Sequence, residues 1–159
     1  MMSEHHTIIV TVANRVGVIA RISGLLSSRG YNIESIIGAP TENPDIYKIH
    51  LVVPGTAEQI EQVTKQLNKL IDTIKVIDIS HSKNYIVREF LIIKVKAEKR
   101  SEIFELMGVF KAKAVDITRT HITMDLSGPP LKVSRFIELL RPYGIKEYVR
   151  TGNVAISES

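Results

Sequence analysis

The sequence predicts an α+β fold made of two βαββαβ units in tandem, and three observations carry that prediction. Apolar residues switch repeatedly between a period of two and a period of about 3.6, the signatures of strand and helix. Helix-capping and turn residues fall at the switches. The same order of elements then recurs after a polar connection, "HSKNY" (His81 to Tyr85), near the middle of the 159 residues.

The first unit opens with "TIIVTVA" (Thr7 to Ala13), which reads as a buried strand. After the turn Asn14-Arg15-Val16-Gly17, residues Val18, Ile19, Ile22, Leu25 and Leu26 share one helical stripe, and Gly30 follows where a helix C-cap belongs. "YNIESIIGAP" and "DIYKIHLVVP" are β-rich runs separated by "TENP", and are expected to form a hairpin. Thr56 is placed to cap a second helix with Ile60, Val63, Leu67, Leu70 and Ile71 on its apolar face, and Glu58 and Glu61 put negative charge near its N-terminal end. "IKVIDIS" (Ile74 to Ser80) then alternates as a strand. Two helical crossovers should lay both helices on one face of a four-stranded antiparallel sheet, as in a ferredoxin-like sandwich.

In the second unit, "VREFLIIKVKA" (Val87 to Ala97) is a strand, and Ile103, Leu106, Met107 and Phe110 form a helical stripe. "AVDIT" and "HITMDL" are short strands; "SGPP" turns into a helix with Val133, Phe136, Ile137 and Leu140 inward; "GIKEYVR" and "NVAIS" close the pattern. Beyond the element order the two halves are not alike in sequence. The expected domains are therefore residues 1–80 and 81–159, each near the lower size for a self-sufficient core, so packing or dimerisation should support them.

Composition narrows the function classes. With no cysteine there is no disulfide, thiolate metal site or cysteine nucleophile. The N-terminus has no signal-peptide pattern and no apolar run approaches a membrane span, so a cytoplasmic protein with no membrane association is expected. The net charge of +4 divides into −1 for residues 1–80 and +5 for residues 81–159, where Lys94, Lys96, Lys99 and Arg100 stand among Glu89, Glu98, Glu102 and Glu105. That mixture reads as a solvated face rather than a nucleic-acid surface. An RNA-binding sheet of this architecture needs aromatic residues on its central strands. Here "TIIVTVA" and "IYKIHLV" offer only Tyr47, and no nucleic-acid partner is expected.

No catalytic constellation emerges. There is no nucleophile elbow, P-loop or dinucleotide fingerprint, and the five histidines are dispersed except for His5 and His6, in an N-terminal stretch expected to fray. No catalytic residue and no metal site is assigned. Two polar features remain. Gly17 stands at a helix start, where free N–H groups and the helix dipole favour an anion such as a carboxylate. Asn14 offers an amide oxygen to an ammonium group, with Val16, Val18 and Ile19 as hydrocarbon nearby. On spacing alone, Asn14 is as well explained as a turn former and Gly17 as a steric requirement of a tight connection. Asn32 lies with Glu34 on the strand face opposite Tyr31 and Ile33; it either faces an edge or partner, or forms an Asx-type link that helps the chain leave the helix.

Those two features occur in the order of a known signature. "NRVGVIARISGLLSSRGYNIESIIGAPTENP" (Asn14 to Pro44) resembles the N-terminal signature of the small regulatory subunits of acetolactate synthase, also called acetohydroxyacid synthase. The likeness continues through "EQIEQVTKQLNKLIDTIKVIDIS" and "VREFLIIKVKA". The resemblance implies that the first unit is an ACT domain, mediating dimerisation and effector binding, and that the second is the family's C-terminal domain. It implies a chain inactive alone, which activates a large catalytic subunit carrying thiamine diphosphate, a divalent metal and FAD. It also implies feedback inhibition by a branched-chain amino acid, valine being the first expected, in branched-chain amino acid synthesis. By the same resemblance, Asn14, Gly17, Val18 and Ile19 of one subunit and Asn32 and Ile33 of another would enclose the effector. A free-standing amino-acid sensor acting on another enzyme or on a transcription factor is the alternative.

Overall fold

The computed structural model describes residues 4–158. The chain divides into two compact units, residues 1–86 with 153–159, and residues 87–152. In the first unit the elements are β1 (Glu4–Ala13), α1 (Val18–Ser28), β2 (Ser35–Pro40), β3 (Ile46–Gly55), α2 (Ala57–Asn68) and β4 (Thr73–Asp78). Its sheet has the order β2-β3-β1-β4 with every neighbouring pair antiparallel. This is the ferredoxin-like βαββαβ arrangement that the sequence predicts.

Alternation along β1 sends Ile8, Val10 and Val12 into one core with Ile49, Leu51 and Val53 of β3. Against them lie Val18, Ile22 and Leu26 of α1 and Ile60, Val63 and Leu67 of α2, spaced at helical intervals. Thr56 closes a capping box: its hydroxyl accepts from Gln59 N (3.2 Å) while its own N–H donates to Gln59 Oε1 (2.9 Å). Helix α1 ends in a Schellman motif, with Gly30 at φ +77°, Tyr31 N donating to Leu26 O (3.0 Å) and Gly30 N to Ser27 O (3.1 Å).

The expected fraying of His5 and His6 does not occur: both lie in β1, paired with Pro54 and Val53 across the full-length β1–β3 ladder. The opposite face of this sheet is covered within the same unit. Thr7 and His50 are buried there, Asn153 Nδ2 donates to Thr7 Oγ1 (2.8 Å), and His50 Nε2 lies 3.2 Å from Ala155 O, in the final strand β9 (Val154–Ser157).

In the second unit β5 (Tyr85–Lys96), α3 (Arg100–Phe110), β6 (Lys113–Ile117), β7 (His121–Gly128), α4 (Pro130–Leu140) and β8 (Ile145–Arg150) repeat the order, with the sheet β6-β7-β5-β8. Its core joins Leu91, Ile93 and Val95 to Ile103, Met107, Val133, Phe136, Ile137 and Leu140. Buried Glu89 accepts from Arg150 Nε (2.5 Å), whose Nη2 also donates to Pro130 O and Ser134 Oγ, so the buried carboxylate is paired.

Three elements differ from the sequence reading. Strand β9, read as closing the second unit, lies with the first. Helix α2 stops at Asn68, leaving Ile71 92% exposed in the connection to β4. Strand β2 begins only at Ser35, so Tyr31 to Ile33 form an unpaired connection.

Candidate effector site

The turn between β1 and α1 is held from both sides. Ala13 N donates to Asp72 O and Asn14 N to Asp45 O, both at 2.8 Å. Gly17 takes φ +84° as the residue before the helix, a conformation strained for any residue with a Cβ. It lets the chain pass from strand to helix in four residues. Below the turn, the carboxylate of Asp72 is buried and pairs with the guanidinium of Arg21 on α1 and, at 3.5 Å, with Arg15 Nε. Arg21 Nη1 also donates to Val16 O (3.4 Å). Asp72 and Arg21 are 51 residues apart, and sequence reasoning missed this clamp: a lone Asp in an apolar stretch carries no sign of its partner.

No side chain caps α1. Val18 N donates to Arg15 O (3.3 Å) and Arg21 N to Gly17 O (3.0 Å), which leaves the first-turn N–H groups of Ile19 and Ala20 without a hydrogen-bond partner among the described residues. They supply the donors an anion requires. Asn14 Nδ2 donates to Pro44 O (3.0 Å), turning its amide oxygen into the free acceptor of that side chain. A cavity of ≈180 Å³ lies between these groups, lined by residues 14, 15 and 17–20 with Tyr47. Its apolar wall is Ile19 and Tyr47, which meet over Gly38 of β2: a Cβ there would lie 3.3 Å from Ile19 Cδ1 and 3.4 Å from Tyr47 Cε1. Tyr47 also packs on the core.

Of the six residues singled out in the sequence, the structure brings Asn14, Gly17, Val18 and Ile19 together around this cavity. Val18 is 6% exposed, and its side chain belongs to the core. Val16 points away, 99% exposed. Asn32 and Ile33 stand outside it; Ile33 packs on the core, and Asn32 is exposed with no side-chain hydrogen bond among the described residues. The Asx-type link is therefore not what turns the chain, since the Schellman bonds already do so. Chemically, the arrangement presents N–H donors for a carboxylate, a neutral acceptor for an ammonium and hydrocarbon for a small side chain.

Comparison with known proteins covers nearly the whole chain. Residues 8–75 match a family profile described as the AHAS small subunit-like ACT domain, and residues 88–159 match one described as the small subunit of acetolactate synthase. The chain is 49% identical over 153 residues to a probable acetolactate synthase small subunit of Archaeoglobus fulgidus, covering 95% of each. It is 44% identical to the acetolactate synthase small subunit of Bacillus subtilis, with 94% of this chain and 88% of that one aligned. The crystal structure of the acetolactate synthase small subunit of Thermotoga maritima is similar at a TM-score of 0.85 and 34% identity, with 97% of each chain covered.

Proposed function

The chain belongs to the family of acetolactate synthase small subunits, and from that premise we propose that it activates a large catalytic subunit and makes it sensitive to a branched-chain amino acid, valine first. In this reading residues 1–80 are the ACT domain that dimerises and binds effector, and residues 81–159 are the C-terminal regulatory domain. The protein works in the cytoplasm. Thiamine diphosphate, the divalent metal and FAD belong to the large subunit, and this chain supplies no reacting group.

The observation that carries the proposal is the uncapped start of α1 facing a small, one-sided apolar cavity beside the free amide oxygen of Asn14. The effector's carboxylate takes the N–H groups of Ile19 and Ala20, its ammonium bonds Asn14 Oδ1, and its side chain rests on Ile19 and Tyr47. Asn32 and Ile33 of a second copy close the other side. Inhibition then requires that effector bind one state of the complex more tightly than another, since equal affinity shifts nothing.

The test is co-purification with the large subunit followed by acetolactate formation against valine concentration, with calorimetry of the isolated chain against valine, leucine and isoleucine. Activation that declines with valine, together with measurable heat, is expected. Heat without a large-subunit partner would favour the free-standing sensor. No heat and no thermal stabilisation by any of the three would overturn effector binding.

A further inference from the structure

We propose that Glu4, His6 and His81 form a site for one divalent transition-metal ion of the zinc, cobalt or nickel class. The site lies at the end of β1 remote from the effector cavity: eight residues separate His6 from Asn14, about 26 Å at 3.3 Å per residue.

Alternation places Glu4 and His6 on the same face of β1, and the turn after β4, closed by Ser82 N donating to Ile79 O (3.0 Å), returns His81 to them. Glu4 Oε2 is 3.4 Å from His81 Nε2 and 3.8 Å from His6 Nε2, and one ligand atom from each of the three residues lies within 4.8 Å of the other two. Bonds of about 2.0–2.2 Å around a tetrahedral ion set ligand atoms roughly 3.4 Å apart. The Glu4–His81 pair already has that spacing and the 3.8 Å to His6 must shorten, which Glu4 and His81, 65% and 74% exposed side chains, are free to allow.

His6 supplies the second, independent sign. It is 2% exposed, and its Nε2 is buried with no hydrogen-bond partner among the described residues. A buried polar atom left in that condition is unfavourable unless something bonds it. Its other nitrogen, Nδ1, lies 2.9 Å from Asp78 Oδ2. The Asp78 carboxylate is itself held in place, its Oδ1 accepting from the Ser80 hydroxyl (2.6 Å) and N–H (3.0 Å). With Nδ1–H donating to Asp78 Oδ2, Nε2 is the nitrogen that carries the lone pair, and it is the one that lies on the side of Glu4. A carboxylate behind a histidine is the usual support of a metal-bound imidazole. Two nitrogens and one oxygen suit zinc-like ions rather than magnesium or calcium, which prefer oxygen. Three protein ligands leave a fourth position for water, and His6, Asp78 and His81 line a cavity of ≈370 Å³ against α2 that has room for it.

The test uses the full-length untagged chain, freed of metal with a chelator and dialysed. Zinc is titrated in competition with a chromophoric chelator, and cobalt is added to a parallel sample to read coordination from its visible bands. One equivalent per chain and intense tetrahedral cobalt bands are expected. His81→Ala and Glu4→Gln should each weaken zinc at least tenfold, Asp78→Asn by about 10–100-fold, and His121→Ala not at all. Because Glu4 and His81 are largely exposed, unchanged urea unfolding of those two variants shows that the fold is intact. Absence of stoichiometric binding, or binding that survives both His81→Ala and Glu4→Gln, overturns the proposal.

Discussion

Two glycines, one just before α1 and one within it, should respond with opposite sign to the same substitution. Gly17 sits at φ +84°, and an alanine forced into that region costs about 1–2 kcal/mol. The new Cβ would also stand 3.2 Å from Arg21 Nη1, displacing the guanidinium whose other nitrogen holds the buried Asp72 carboxylate. Gly24 lies in the helix interior with nothing within 4 Å of an added Cβ, so alanine there removes only the helix penalty of glycine, about 0.8–1 kcal/mol in favour of the variant. The two variants should therefore differ by roughly 2–3 kcal/mol. Equilibrium urea unfolding followed by far-UV circular dichroism measures this, provided the slope m matches wild type. Gly17→Ala as stable as wild type, or both variants shifting the midpoint in the same direction, would refute the reasoning. The Gly17→Ala chain should also give less heat with valine, because the first-turn N–H groups move with the turn.

Other consequences can be checked independently. Asn32→Ala should weaken effector binding measured by calorimetry while leaving activation of the large subunit close to wild type; joint loss would make the residue structural. Thr56→Ala removes one side of the α2 capping box and should lower stability by about 1 kcal/mol in the same urea assay. His50 is buried, and burial lowers its affinity for a proton despite the carbonyl of Ala155. The unfolded chain then binds more protons, so the His50 contribution is complete above about pH 6.5 and is lost as pH falls toward the lower folded value; a His50→Gln chain should show a flatter stability profile there. If two copies share the effector, valine should raise the apparent dimer association constant in sedimentation analysis.

The architecture was legible because helix and strand periods switch cleanly and the caps fall where the switches do. The misreadings have specific causes. Tyr31 and Ile33 alternate with Asn32 and Glu34 in burial, as a strand would, but the β2–β3 ladder starts at Ser35 and Val52, and only Glu34 N reaches back to Val52 O. Period two reports alternating burial, which an extended but unpaired segment also produces. Ile71 continues the apolar stripe of α2 on paper. The helix ends three residues earlier, with Thr73 Oγ1 donating to Leu67 O (2.8 Å) and the chain turning to bring Asp72 under Arg21. That turn is decided by a contact with α1 that no local pattern carries.

The residues proposed to bind effector divide in the same way. Asn14, Gly17, Val18 and Ile19 are near neighbours in sequence, and local turn geometry is enough to converge them. Asn32 and Ile33 were linked to them only through the family signature, and within one chain they remain outside the cavity. Its ≈180 Å³ falls short of the roughly 300–1,000 Å³ common to pockets that enclose a small molecule. One chain therefore presents the polar donors and a single apolar wall of Ile19 and Tyr47, leaving the far side of a bound amino acid wet. Hydrocarbon left in water contributes nothing, so discrimination among valine, leucine and isoleucine must come from whatever covers that side. In the proposed dimer this is Asn32 and Ile33 of the second copy. Effector binding and subunit geometry then become one equilibrium, and an amino acid with no charge change to offer can still alter the shape that the large subunit meets.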